Sequence, residues 1–230
     1  MKIYDVISLD AYGTIFNVNA GVAIAEKNLL PELDGRGNEL WDVTHKELNI
    51  LFDEMQRGVF GPFCNAKELY RRVFLRSKTI RSFNIDISKY VEFICYSHSH
   101  SPAYDGAIWL VKELHKIYNY VVLTSDADND FLLQAVSVNA INFDYVFTSE
   151  DAHEYKSQSR SNLFMQVIKT CSVSPDRIIH IGDSQYDLQA HSDFGIDVLR
   201  IRHNADNSKG FVTTNQSAYE IKEIAEILGC

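Results

Sequence analysis

From Pro102 onward the chain alternates short apolar runs with amphipathic helical stretches, and this alternation narrows its fold more than any other feature. Residues 107–118 read as a helix, with Ile108, Val111, Leu114 and Ile117 on overlapping apolar turns, and 120–124 as a strand. The pattern continues with a helix over 131–138, a strand over 145–147, a helix over 162–171 and a strand over 177–181. A short helix from Leu188, a strand over 198–201 and an amphipathic helix over 218–228 complete it. Strands separated by helices imply βαβ units and a parallel sheet, which makes the chain an α/β protein. One more strand, 4–10, lies far upstream and ends at Asp10 before a Gly13-Thr14 turn. Between these parts the periodicity is helical: Leu48, Leu51, Phe52 and Met55, then Leu69, Val73 and Phe74, then Tyr90, Val91, Ile94 and Cys95. Asn65 is placed to cap the second of these helices. The expected organisation is a core of residues 1–16 and 101–230, with an all-helical insertion of residues 17–100 after the first strand.

Composition removes several function classes. Apolar residues make up 46% and charged residues 23% of 230, as in an ordinary globular protein. With 22 Lys+Arg against 31 Asp+Glu the net charge is −9, which argues against nucleic acid or an anionic membrane as partner. No apolar run reaches the roughly 18–20 residues needed to span a bilayer. The start, Met1-Lys2-Ile3-Tyr4-Asp5, lacks the apolar region of a signal peptide, and Cys64, Cys95, Cys171 and Cys230 form no C-x-x-C. A cytoplasmic chain with free thiols, acting on a small molecule as a monomer or homodimer, is expected.

In open parallel sheets, sites gather beyond the carboxyl ends of the strands. Four such ends carry reactive groups here: Asp10; Thr124-Ser125-Asp126; Lys156, after the strand at 145–147; and Gly182-Asp183, with Asp187 four residues on. Carboxylates, hydroxyls and an ammonium at matched positions make a site hypothesis.

These pieces, Leu9-Asp10-Ala11-Tyr12-Gly13-Thr14, Leu123-Thr124-Ser125, Ser149-Glu150-Asp151 with Lys156, and Ile181-Gly182-Asp183-Ser184 with Asp187, resemble the motifs of the haloacid dehalogenase superfamily of hydrolases in order and spacing. The resemblance implies a Rossmann-like parallel sheet with helices on both faces and an inserted all-helical cap. It implies that Asp10 is the nucleophile, that the Tyr12 backbone carbonyl joins Asp10, Asp183 and Asp187 at a metal, and that Thr124, Ser125 and Lys156 hold phosphoryl oxygens. Carboxylates about 4 Å apart repel by about 4 kcal/mol at an effective dielectric near 20, so a cation belongs among them. Hard oxygen ligands suit Mg²⁺. The implied activity is that of an Mg²⁺-dependent phosphatase acting on a small phosphorylated metabolite through an aspartyl-phosphate.

Two departures from the family pattern stand out. Phosphatases of the family carry an acid two residues after the nucleophile, and here that residue is Tyr12. Asp-Ala-Tyr-Gly-Thr is instead similar to the 2-haloacid dehalogenases, which expel halide, need no proton, and work without metal. That branch lacks an acidic pair like Asp183 and Asp187, and it uses an arginine for halide; Arg36 and Arg57 are the candidates here. A fold kept for binding, with little turnover, is the other alternative. Lys156 is followed by Ser157 where the family has proline, which is expected to loosen the lysine loop. Asp126-x-Asp128-x-Asp130 reads as helix capping rather than a Ca²⁺ loop, His98 and His100 as a solvated helix end, and Phe60-Gly61-Pro62-Phe63 as a turn that could overhang the substrate.

Overall fold

The computed structural model describes residues 4–203 and 218–230. Six parallel strands form one sheet in the order β3-β2-β1-β4-β5-β6: β1 (Val6–Leu9), β2 (Tyr120–Ser125), β3 (Tyr145–Thr148), β4 (Ile178–Gly182), β5 (Asp197–Ile201) and β6 (Ala218–Tyr219). The chain winds outward from β1 to β3 on one side and from β4 to β6 on the other. The order therefore reverses between β1 and β4, and the crevice beyond their carboxyl ends is where a doubly wound sheet places its ligand.

Alternation along the strands builds two apolar layers. Ile7, Leu9, Val121, Leu123, Ile179 and Ile181 face α6 (Ala107–Ile117), α7 (Asn129–Val138) and α11 (Ile221–Leu228) through Leu110, Leu132 and Ile224. Val6, Val122 and Ile178 face α9 (Asn162–Cys171) and α10 (Gln189–Phe194) through Phe164 and Ala190. A sheet covered on both faces explains why its strands read as continuous apolar runs.

Between β1 and α6 come five helices: α1 (Val18–Leu29), α2 (Gly37–Gln56), α3 (Ala66–Arg76), α4 (Lys78–Arg81) and α5 (Ile87–Ser99). They are the inserted helical cap. Asn17, Asn65, Ser77 and Asp86 each cap a helix by accepting a backbone N–H with the side chain. Where the chain leaves and re-enters the sheet, a bridge joins Phe16 to Ala103 and the Asn17 N–H donates to Pro102.

The sequence-based elements hold with local corrections. Helix α7 begins at Asn129, and a short helix α8 (Ser149–Ala152) follows β3 directly. Ala218 and Tyr219 pair with β5 as strand β6 instead of opening the last helix. That helix starts at Ile221, because Glu220 and Glu223 form a reciprocal capping box there. Asp128 does cap a helix, but not its own. Its carboxylate accepts the Ala66 and Lys67 N–H groups at 2.7 and 3.2 Å, so a residue of the sheet domain caps α3 of the insertion. Lys67 in turn pairs with Asp130.

Candidate active site

Asp10 lies just past β1, and the turn after it is closed by the Ile15 and Phe16 N–H groups donating to the Ala11 carbonyl. Gly13 makes this turn possible. Its φ of +91° is left-handed, and a Cβ at that position would run into the carboxylate of Asp183. Gly182 is bare for a similar reason, since a Cβ there would occupy the position of the Asp187 carboxyl group. The two glycines let the first and last motifs close on each other. One oxygen from each of Asp10, Asp183 and Asp187 lies within 4.8 Å of the others.

Lys156 joins two of these acids. Its Nζ donates to Asp10 Oδ1 at 2.5 Å and to Asp187 Oδ1 at 2.7 Å, and the side chain is 2% exposed. Asp187 Oδ1 also faces His180 Nε2 at 2.9 Å, while its Oδ2 accepts from Ser184 N and Oγ at 3.0 and 2.7 Å. Behind His180, Nδ1 lies 2.9 Å from Ser8 Oγ, which lies 2.7 Å from Thr124 Oγ1. A buried polar chain thus runs Thr124–Ser8–His180–Asp187–Lys156–Asp10 under the crevice. Asp183 stands apart: Thr14 Oγ1 donates to it at 3.3 Å, and no cation pairs with it among the described residues.

The electrostatics follow from these contacts. Burial works against the Lys156 ammonium, but Asp10, Asp187 and Asp126 outweigh it and hold the lysine protonated. Burial likewise opposes ionising Asp187, yet Lys156 and His180 prevail and keep its carboxyl well below the usual range. Asp183 is pushed well up by desolvation and then by Asp10 and Asp187.

The structure brings Asp10, Tyr12, Ser125, Lys156 and Asp183 to one cavity of about 460 Å³ between sheet and cap. Asp187 sits behind Lys156. Thr124 is fully buried and turned into the sheet toward Ser8, whereas Ser125 lies on the cavity wall. The lysine loop is tied down despite Ser157. The Lys156 N–H donates to Asp126 Oδ1 at 2.8 Å, and Tyr155 and Gln158 close a turn around it. Tyr12 packs its ring edge-on to His98 at 4.6 Å, and its buried hydroxyl has no hydrogen-bond partner among the described residues.

Several residues do other work than the sequence reading gave them, or were not singled out there. Asp126 lines the cavity, and its pKa is pushed up to about 7, chiefly by burial. His98 is not at a solvated helix end: it is buried between Tyr12 and Trp41, with its pKa lowered to about 4 by the same desolvation. Ser8 and His180 carried a usable signal, since each is a polar residue inside an apolar strand and needs a partner. The two candidate arginines lie elsewhere. Arg36 pairs with exposed Glu39, and Arg57 donates to the Asp53 carbonyl. Phe63 of the suspected overhang packs on Tyr155, and no residue of 60–63 lines the cavity.

Comparison with known proteins points the same way as the motifs. Residues 42–201 match the family model described as haloacid dehalogenase-like hydrolase. No curated protein matches the sequence. Among solved structures, an L-2-haloacid dehalogenase is similar with a TM-score of 0.79 at 14% identity, over 98% of this chain and 99% of that one. The L-2-haloacid dehalogenase from Xanthobacter autotrophicus gives 0.70 at 19% identity, over 86% of this chain and 78% of the other. The HAD-hydrolase YfnB from Bacillus subtilis, in a magnesium-bound form, gives 0.73 at 19% identity over the full length of both. At these identities the likeness is one of fold.

Proposed function

The chain belongs to the haloacid dehalogenase-like hydrolase family, and from that premise we propose that it is an Mg²⁺-dependent phosphatase of small phosphate monoesters. The observation that carries this reading is Asp183, an acid beside two others with no cation of its own among the described residues. A metal-free dehalogenase has no use for it. The donor set fits the ion: Asp183 offers a free carboxylate oxygen and Asp10 Oδ1 keeps a lone pair beside Lys156, whereas both oxygens of Asp187 are engaged by protein donors and would reach the ion through water. Bound there, Mg²⁺ would neutralise the carboxylates and withdraw charge from the phosphoryl group.

The residues divide the remaining work. Lys156 pins Asp10 Oδ1, which leaves Oδ2 to attack phosphorus. The P–O bond to the alcohol breaks as the aspartyl-phosphate forms, while Lys156 and Ser125 hold phosphoryl oxygens. Asp126, whose pKa of about 7 leaves a share of it protonated at neutral pH, gives its proton to the departing alkoxide. Water then attacks the same phosphorus and passes a proton to Asp126; inorganic phosphate leaves and the Asp10 carboxylate is restored. The four free thiols agree with a cytoplasmic setting, and no helix among the described residues is long and apolar enough to cross a membrane.

Dehalogenation of 2-haloacids is the second reading, favoured by Tyr12 where phosphatases carry an acid. Against it stands the cavity wall, which among the described residues includes no arginine to receive halide or carboxylate. Acetyl phosphate and 2-chloropropionate, each with Mg²⁺ and with EDTA, separate the two. Phosphate release that needs Mg²⁺ is expected, with Asp183→Asn weakening the Mg²⁺ dependence at least tenfold. Chloride release that persists in EDTA would establish the dehalogenase instead.

The role of Asp126 has its own signature. Turnover of alkyl phosphates is expected to fall as pH rises above about 7, because the acid form is lost there. Asp126→Asn should remove that limb and lower kcat on alkyl esters by roughly 10²–10⁴-fold, with a smaller loss on acyl phosphates, whose leaving group needs no proton. An unchanged alkaline limb in Asp126→Asn would place the proton donor elsewhere.

A further inference from the structure

The half of the cavity away from the nucleophile is built by the cap. Trp41, His45 and Phe52 recur along one face of α2, and Tyr70 and His98 close the wall from α3 and α5. The rings are ordered against one another: His45 stacks on Trp41 with an interplanar angle of 14°, and His98 meets Trp41 edge-on at 5.2 Å. Asn38 and Asn49 add neutral polar groups on the same helix.

The charge of the lining is lopsided. Asp10, Asp42, Asp126 and Asp183 face the cavity, and Lys156 is the one lysine or arginine that does so among the described residues. That lysine is committed to Asp10 and Asp187. Among the described residues the lining offers no second lysine or arginine to pair with another anion. Many small phosphorylated metabolites carry a carboxylate or a further phosphate and would meet repulsion in this chamber.

We infer that the cap selects a monophosphate ester whose alcohol carries a flat aromatic or heteroaromatic ring and no second negative charge. The ring would lie along the Trp41–His45–Phe52 wall, where aromatic contact adds to apolar burial. A volume of about 460 Å³ suits a ring system of that kind and exceeds what a two- or three-carbon phosphate fills. This inference rests on the phosphatase reading above.

The test is a substrate series on the full chain with Mg²⁺: benzyl phosphate, butyl phosphate and 4-carboxybenzyl phosphate, with acetyl phosphate as a small activated reference. Benzyl phosphate is expected to exceed butyl phosphate in kcat/KM by roughly tenfold or more, the scale of a well-formed aromatic contact plus its burial. The carboxylate of 4-carboxybenzyl phosphate should lower kcat/KM at least tenfold relative to benzyl phosphate. In Trp41→Ala the benzyl-to-butyl ratio should fall toward unity, and in Trp41→Phe most of it should return. The wild-type series decides the matter even where Trp41→Ala fails to fold. Acetyl phosphate turned over, but benzyl and butyl esters equal or the carboxylate tolerated, would overturn the inference and leave the phosphatase reading standing. No turnover of acetyl phosphate with Mg²⁺ would remove both.

Discussion

Asp10→Asn is expected to lose turnover by on the order of 10⁴-fold or more while the protein stays folded. An amide matches the carboxylate in shape but offers no nucleophilic oxygen. The fold should hold because Lys156 keeps Asp187 as its counter-ion at 2.7 Å. The attraction lost between Lys156 and Asp10 is offset by the repulsion removed among Asp10, Asp183 and Asp187. Activity assays beside a thermal melt check both halves. A cleanly folded Asp10→Asn protein that still turns over substrate would end the covalent mechanism. A melt lowered by much more than about 4 °C would show that the Lys156–Asp10 pair stabilises more than this balance allows.

Lys156→Met is expected to destabilise the chain by about 3–5 kcal/mol and to abolish turnover. The stability cost comes from what is left behind: Asp10 and Asp187, 8% and 0% exposed, with their shared cation gone. Methionine fills the space, so the loss reports charge more than volume. The pH dependence gives the sign. Without Lys156 the two carboxyls have folded-state pKa values raised above the unfolded ones. The folded state then binds more protons between those values, and stability falls as pH rises through the window. The deficit against wild type should be largest near pH 7–8 and shrink toward pH 4. Urea unfolding at both ends of that range measures it, and added Mg²⁺ should recover part of the loss at neutral pH. Equal midpoints for wild type and Lys156→Met at pH 7 would mean that the cluster is already neutralised by bound protons.

Much of the molecule was legible in one dimension. The alternation after Pro102 and the long helical stretch before it specify a parallel sheet with a helical insertion, because burial on both faces and helical amphipathicity are written locally. The convergence of Asp10, Asp183 and Asp187 was legible too, since each follows a buried strand and strand ends of a parallel sheet meet along one edge.

What tertiary structure alone decided is which way side chains turn and what they meet. Thr124 and Ser125 are adjacent hydroxyls at one strand end, and a strand that is apolar on both faces shows no alternation from which to assign them. Pairing of β2 with β1 settles it, carrying Thr124 into the sheet beside Ser8 and Ser125 onto the cavity wall. Asp126 and Asp128 look alike in sequence as helix-start acids. Yet one holds the lysine loop from 30 residues away and the other caps a helix 62 residues upstream. His98 reads as the polar end of a helix until the cap folds Trp41 and Tyr12 around it. In each case the deciding contact spans a distance along the chain that no local pattern records, because desolvation and hydrogen bonding act on neighbours in space.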